Sequence, residues 1–534
     1  MSRRRRGPGF TGALARPALA VDRGLLGHPW RLLVLLGVYL ALIAAFQAVF
    51  WTGGRNDDAE LLLHGQTLAL VYDALNPPLM GWLAWAAETL FGPSLASLRG
   101  LIAVIVLLAY GATLLVARQI TADPRVQALC LLAPATLLHT AFYVFINLSH
   151  SLLLLLVAIA TVWAALETAR QPTARRYLVL GGIVGLGLLT KYNYALVLVA
   201  VIGAGLMVEP TRRALLDRRL LLSALAALAV AGPATAAHFL DPQGFLALYR
   251  AKMGVETPTL WISGVLSGFG GLAQHGFDML MPGAVLALMV FHRRFVRRSG
   301  PTLAAQTPER WPLAFAALCP LLYVGLFAAL VLLGLATRID AHHLFFLAFA
   351  LVPLIAWLAD SPQVGGGARG LFGLIALGLC VVSALALGQF TWKTATTCTG
   401  KCGIVLPYET WAKDLKAAGF TRGTVLQLSP VHSLPLVNLR PWLADSRFLR
   451  PLDAQAGGFV PPLHSEGGDC LILDAADAPS LADPGALFAR LGLPAAAPEG
   501  WHGGRLEGAT LALSGRPAPP LGYLLIPGGL GSCR

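Results

Sequence analysis

Charge is what this chain has least of. Asp, Glu, Lys and Arg make up only 13% of its 534 residues, where an ordinary soluble domain carries about 25%. Acids are the scarcer sign, 27 against 40 Lys and Arg. With 56% hydrophobic residues and a mean hydropathy of +0.67, that shortage excludes a single soluble core. The apolar surface needs lipid to cover it, so the expected class is a polytopic membrane protein. Also missing are zinc-finger spacing, a basic helix and any aromatic–basic interleaving. The net charge of +13 therefore does not indicate nucleic acid. Much of the Arg lies in short patches between apolar runs, where it sets membrane orientation. No apolar segment directly follows the basic start Met1–Arg6, because residues 7–29 hold Pro8, Pro17, Asp22, Arg23 and Pro29. A cleavable signal needs that segment, so residues 1–30 read as a cytoplasmic tail.

Cysteines are few, seven in all. Cys130, Cys319 and Cys380 lie in apolar runs and read as packing residues. Cys398, Cys402, Cys470 and Cys533 lie near the C-terminus. Of their three pairings, Cys398–Cys402 with Cys470–Cys533 is preferred. A zinc site is disfavoured, since no second close-spaced ligand pair accompanies Cys398 and Cys402.

What the chain does have is apolar runs of about bilayer length. They fall near 31–51, 98–117, 127–146, 150–168, 177–192, 194–208, 220–240, 280–291, 312–334, 344–359 and 370–390. About eleven spans are thus expected. Basic connectors alternate with them: Arg170, Arg175, Arg176; then Arg212, Arg213, Arg218, Arg219; then Arg293, Arg294, Arg297, Arg298. By the excess of Lys and Arg in cytoplasmic loops, the N-terminus is inside. The connectors 52–97 and 241–281 then face outward. In the first, Glu60–Tyr72 and Pro78–Phe91 read as surface helices broken at Pro77–Pro78. The second, with Gly268–Gly271, reads as a flexible amphipathic lid. Residues 31–390 form the expected transmembrane catalytic domain. Residues 391–534, rich in Pro, Gly and Asp, read as a small outer α/β domain with a helix at Tyr408–Ala418. Its strands are expected at Thr424–Leu428 and Cys470–Leu473.

Polar groups from distant segments share the outer side in this topology. They are Asp57, Asp58 and Glu60; His64 and Asn76; Lys191 and Tyr192; and Arg338 with Asp340, His342 and His343. Acids this close to a membrane are costly to desolvate and point to function. Each group also has an ordinary alternative. Asp57 can cap a helix, Lys191 can snorkel at a helix end, and Arg338, His342 and His343 can be interfacial residues. Acids and cations converging at one membrane surface suit an anionic, lipid-linked substrate. A transporter or flippase is the alternative function. It predicts paired broken helices and mid-bilayer acids, whereas these acids cluster in one outer loop. A non-catalytic scaffold presenting the outer domain has no use for the convergence.

Several motifs occur in a telling order: Asp57-Asp58-Ala59-Glu60, Asn76-Pro77-Pro78-Leu79-Met80-Gly81-Trp82-Leu83, Phe91-Gly92 before Arg99, and Gly185-Leu186-Gly187-Leu188-Leu189-Thr190-Lys191-Tyr192. Together they resemble the protein O-mannosyltransferase-like branch of the GT-C glycosyltransferases, with which the lipid A aminoarabinose and galacturonosyl transferases are grouped. The resemblance is best over residues 50–210. It implies a multi-pass inner-membrane enzyme that takes a sugar from a polyprenyl-phosphate carrier. The acceptor it implies is a lipid or cell-envelope glycan on the outer face. In such enzymes the first acid of the loop is catalytic, which falls on Asp57, with Asp58 beside it. Lys191 and Arg338, supported by His342 or His343, would meet the donor phosphate. The resemblance leaves open whether Asp57 and Asp58 also hold a divalent metal. Two departures stand out: Asp57-Asp58 replaces a common Asp-Glu, and Asn76 replaces a common His or Lys.

Overall fold

The computed structural model describes residues 10–72, 76–238, 242–255, 261–296, 310–398, 402–428, 435–449, 460–461, 468–478, 481, 483, 485–487 and 500–528. The chain divides into two compact units. One comprises residues 1–40 and 104–385, the other residues 41–103 and 386–534.

Six of the eleven expected runs are single helices long and apolar enough to cross a membrane. They are Pro29–Phe50, Leu95–Ile120, Ser149–Arg170, Leu220–Ala237, Trp311–Leu332 and Gly366–Thr397. A seventh span arises if Tyr194–Met207 and Glu209–Leu215, bent by 116° at their junction, are taken as one. The remaining runs are apolar but shorter or broken. Run 127–146 becomes the helix Pro124–Leu132, two 3₁₀ turns and the single turn Leu138–Ala141, interrupted where Pro134 cannot donate a helix hydrogen bond. Run 280–291 yields only Gly283–Val290, because Pro282 separates it from Trp261–Leu280. Run 344–359 is a 3₁₀ segment leading into Leu351–Ala359. Helix Ala174–Leu188 has 15 residues, about 22 Å at 1.5 Å per residue. These shorter pieces are packed by protein neighbours, which hydropathy does not register. The protein is a multi-pass helical membrane protein.

The expected lid is not a flexible loop. Residues 242–253 and 261–280 are helices, and the glycines are contact points. A Cβ on Gly268 would come within 2.7 Å of Val331, and one on Gly271 within 2.7 Å of the Ile339 carbonyl. Their missing side chains let Trp261–Leu280 lie against the chain that leads to Arg338.

In the second unit, the helix expected over Glu60–Tyr72 starts and ends earlier, at Asn56–His64, while Leu79–Phe91 matches its expectation. The C-terminal part carries a five-stranded mixed sheet. Its strands are β1 (Gly423–Gln427), β2 (Arg447–Leu449), β3 (Asp469–Ala475), β4 (His502–Leu506) and β5 (Leu521–Ile526), in the order β2-β1-β3-β5-β4. β1 runs parallel to β2 and β3, while β5 is antiparallel to β3 and β4. β1 and most of β3 are buried, as the continuous apolar run Cys470–Leu473 of β3 requires. Leu426, Cys470, Ile472, Leu524 and Ile526 form the sheet's core. The helix Tyr408–Ala417 buries Tyr408, Trp411, Ala412 and Leu415 on one side. Cys398 and Cys402 are disulfide-bonded with Cα atoms 5.1 Å apart. Cys470 is also disulfide-bonded; its expected partner Cys533 lies outside the described residues. Cys130, Cys319 and Cys380 are free and buried.

Candidate active site

The acids Asp57 and Asp58 occupy the first turn of Asn56–His64. The unpaired N–H groups and dipole of that turn favour negative charge. The helix turns the two side chains to different surroundings. Asp58 is buried and ion-paired with Arg99, which enters from the head of Leu95–Ile120. Its Oδ2 also accepts the Arg55 backbone N–H at 3.2 Å. Arg99 lies over the Trp51 ring at 4.9 Å, and the Trp51 indole N–H donates to Thr391 Oγ1 at 2.8 Å. Burial raises the Asp58 carboxyl to about 6, against the pull of Arg99. Asp57, one residue earlier, is only half-buried. The pair therefore separates into a locked carboxylate and an accessible one.

Gly53 and Gly54 permit this arrangement. A Cβ on Gly54 would sit 2.2 Å from the Asp58 Cβ, and one on Gly53 would strike the Tyr408 ring and the Asn438 amide. Asn438 instead clamps the Gly54 backbone, accepting its N–H and donating to its carbonyl, both at 2.9 Å. Glu60 and His64 are buried in the same helix. His64 stacks on Tyr72 at 4.7 Å. The motif glycine Gly81 makes room for that Tyr72, whose ring lies 2.5 Å from where a Cβ would be. Asn76 is half-buried at the approach to Leu79–Phe91.

Sequence reasoning missed a second buried ion pair of this unit. Glu88 is buried against Arg440, whose guanidinium also donates to the Leu62 carbonyl at 2.6 Å. The helices Asn56–His64 and Leu79–Phe91 are thereby fastened to the C-terminal part. Burial lifts the Glu88 carboxyl to about 7, from an ordinary 4.5, against the pull of Arg440. A carboxyl whose folded-state pKa is raised stabilises the fold fully below its unfolded value. That contribution is lost as pH rises through the folded value. Thermal stability in detergent is thus expected to fall between about pH 4.5 and 7, and Glu88→Gln to flatten that part of the profile. An unchanged pH slope in the Gln variant would refute this role for Glu88.

In the first unit, the remaining candidates come together. Gly187 lacks a side chain where the Tyr194 ring packs, 2.0 Å from a would-be Cβ. Thr190 Oγ1 caps the Gly187 carbonyl at 2.6 Å. The tight turn that follows carries Lys191 and Tyr192, and Lys191 Nζ donates to Ser151 Oγ at 2.9 Å. Asn193 Nδ2 donates to the His343 carbonyl at 3.0 Å, and Tyr323 donates to the same oxygen. These bonds tie the Lys191 turn to the loop 338–343. There Arg338 is exposed and pairs with Asp340 at 3.2 Å. His343 Nδ1 accepts the Asp340 N–H at 3.0 Å, and the two His rings are 4.2 Å apart. Burial, then the nearby Lys191 charge, lowers His342 to about 2 and His343 to about 4. Both rings are neutral at physiological pH. The surrounding cations are Lys191, Arg338 and Lys252, the last from the helix Pro242–Met253 and not foreseen.

Asp340, His342 and His343 offer three ligand atoms within 4.8 Å of one another. Three cations nearby against one carboxylate make this a place for an anion rather than a metal ion. Asp58, neutralised by Arg99, makes a poor metal ligand with Asp57. The residues therefore do not fit the divalent ion left open by the sequence.

This is the architecture of a multi-pass helical membrane protein with a small C-terminal α/β part. Residues 75–236 match the family described as dolichyl-phosphate-mannose-protein mannosyltransferase. That match contains Asn76, Lys191 and Tyr192, while the acidic helix and the loop 338–343 lie outside it. Among curated proteins, the chain is similar to the lipopolysaccharide core galacturonosyltransferase RgtA of Rhizobium johnstonii, 30% identical over 217 residues. That alignment covers 40% of this chain and 42% of RgtA. RgtB of the same organism is 32% identical over 180 residues, 33% of this chain and 36% of RgtB. The chain thus spans less than half the length of the curated relatives it matches. The fold extends much further. A crystal structure of ArnT from Cupriavidus metallidurans, bound to undecaprenyl phosphate, superposes over 93% of this chain and 98% of its own. The TM-score is 0.55 at 13% identity.

Proposed function

We propose that this protein is a membrane glycosyltransferase that moves a sugar from a polyprenyl-phosphate donor to a lipid or cell-envelope glycan acceptor. The reaction face is extracytoplasmic, the N-terminus cytoplasmic and the membrane the inner one. The observation that carries the reading is the division of labour between Asp57 and Asp58. One acid is held by Arg99 and the other is left accessible at a helix N-terminus. The similarity to galacturonosyltransferases of lipopolysaccharide core supports an envelope acceptor. The undecaprenyl phosphate in the ArnT structure supports a polyprenyl carrier.

In the proposed step, Asp57 takes the proton of the acceptor hydroxyl as its oxygen attacks the anomeric carbon. The new O–C bond forms while the bond from that carbon to the phosphate oxygen breaks, with inversion. The leaving electron pair stays on the lipid phosphate, which needs charge stabilisation more than a proton. Lys191 and Arg338 supply the charge, with Lys252 beside them, and neutral His342 and His343 offer N–H donors without repelling those cations. Glu60, His64, Asn76 and Tyr192 complete the proposed substrate contacts.

The test is a panel of polyprenyl-phosphate sugars incubated with purified protein, read by mass for loss of sugar from the carrier. Lys191→Met is expected to raise the donor KM by on the order of 10–100-fold, as for a lost charge-assisted contact. No turnover with any donor, or a Lys191→Met enzyme with unchanged donor KM, argues against the assignment.

A further inference from the structure

A cavity of about 430 Å³ opens among the helices Ser149–Arg170, Ala174–Leu188, Tyr194–Met207 and Leu220–His238. Its walls are side chains such as Leu180, Val184, Leu188, Val201 and Ile202. The hydroxyls that reach it are already engaged. Tyr177 donates to the Ala214 carbonyl at 2.8 Å, Ser223 to the Tyr177 carbonyl at 2.7 Å, and Thr211 to the Gly205 carbonyl at 2.9 Å. A guest therefore finds hydrocarbon contacts and no open polar anchor. The 116° bend after Met207 folds Glu209–Leu215 across one end, where Thr211, Leu215 and Leu216 line the cavity.

That same end is strongly basic. Arg175 and Arg176 precede Tyr177, and Arg212, Arg213, Arg218 and Arg219 surround the lining residues. Arg176 pairs with Glu167, Arg213 with Glu209 and Arg219 with Asp217. Arg175, Arg212 and Arg218 are exposed and carry no ion pair among the described residues. Membrane orientation explains arginines in these connectors, but not why they adjoin, in sequence, residues that line a hydrocarbon cavity. An apolar slot with an excess of guanidinium at its mouth matches a molecule with a chain at one end and a phosphate at the other. Basic pockets between spans on the cytoplasmic side bind anionic headgroups.

We infer that this cavity is a binding site for an anionic phospholipid. One acyl chain lies between Ala174–Leu188 and Leu220–His238, and the phosphodiester meets Arg175, Arg212 and Arg218. The lipid would brace four helices, one of which leads directly into the Lys191 turn. The test uses full-length, delipidated protein in detergent and native mass spectrometry with phosphatidylglycerol and phosphatidylcholine of identical chains. Phosphatidylglycerol is expected to be retained about 10-fold better. Arg175→Gln/Arg212→Gln/Arg218→Gln, changing only exposed side chains, should abolish that preference. Ala224→Trp, on the cavity wall, should reduce retention of both lipids. Equal retention by the native protein, or a preference that survives the Gln variant, overturns the inference. So does one-for-one displacement by undecaprenyl phosphate, which would make the cavity a carrier subsite.

Discussion

Replacing Asp57 with Asn is expected to lower transfer by about 10²–10⁴-fold, the usual contribution of a general base, while the protein folds and binds donor normally. The size of the effect follows from the removal of the acid in Asn56–His64 that is half-buried rather than buried. Asp58 and Glu60 are buried in the same helix, and Asp58 is committed to Arg99, so neither can replace it. Stability should change little, because Asn is also well suited to the start of a helix. The discriminating measurement is kcat against donor KM by product mass, with a thermal melt alongside. If the loss lies in chemistry, kcat falls and KM holds. A Asp57→Asn protein that transfers at near the native rate ends the base assignment and moves attention to Glu60.

Arg99→Met should produce the largest loss of stability. It removes the partner of a buried carboxylate, and breaking such a pair costs about 3–5 kcal/mol. The contact with Trp51 goes with it. The apparent melting temperature in detergent should fall by on the order of 10 °C, most clearly near neutral pH, where Asp58 would otherwise be charged. Lowering the pH to about 5 should recover part of the loss, since a lone buried Asp58 then neutralises itself by protonation. The double variant Asp58→Asn/Arg99→Met should be more stable than Arg99→Met alone, giving a coupling that a double-mutant cycle can read. Transfer should fall as well, because Asp57 rides on the turn that this pair holds. Strictly additive single and double variants would mean the two side chains do not act together.

Much of this was legible in the chain itself. The long apolar helices, the strands β1 and β3 of the C-terminal sheet, the Tyr408–Ala417 helix and the Cys398–Cys402 bond all have local signatures. Each depends on a run of one residue character or on close spacing. The alternation of runs leads to the expectation that Lys191, Arg338, His342 and His343 share one side, and the Lys191 charge does act on both His342 and His343. In the sequence, Arg99 stands only at the end of a motif. An arginine at the head of an apolar helix looks like any interfacial residue until its partner is known. Glu88 and Arg440 carried no signal, being 352 positions apart. The lid failed because glycines that suggest flexibility in sequence instead serve close helix contact at Gly268 and Gly271.

By itself the sequence determined a membrane-spanning helical chain, its alternation of basic connectors, and the short list of polar side chains able to do chemistry. Those follow from composition and periodicity, which act locally. Only the tertiary structure decided that Asp58 is a buried strut and Asp57 an accessible acid. Adjacent residues of the same type differ in role because desolvation and the Arg99 charge depend on what lies across space from each of them.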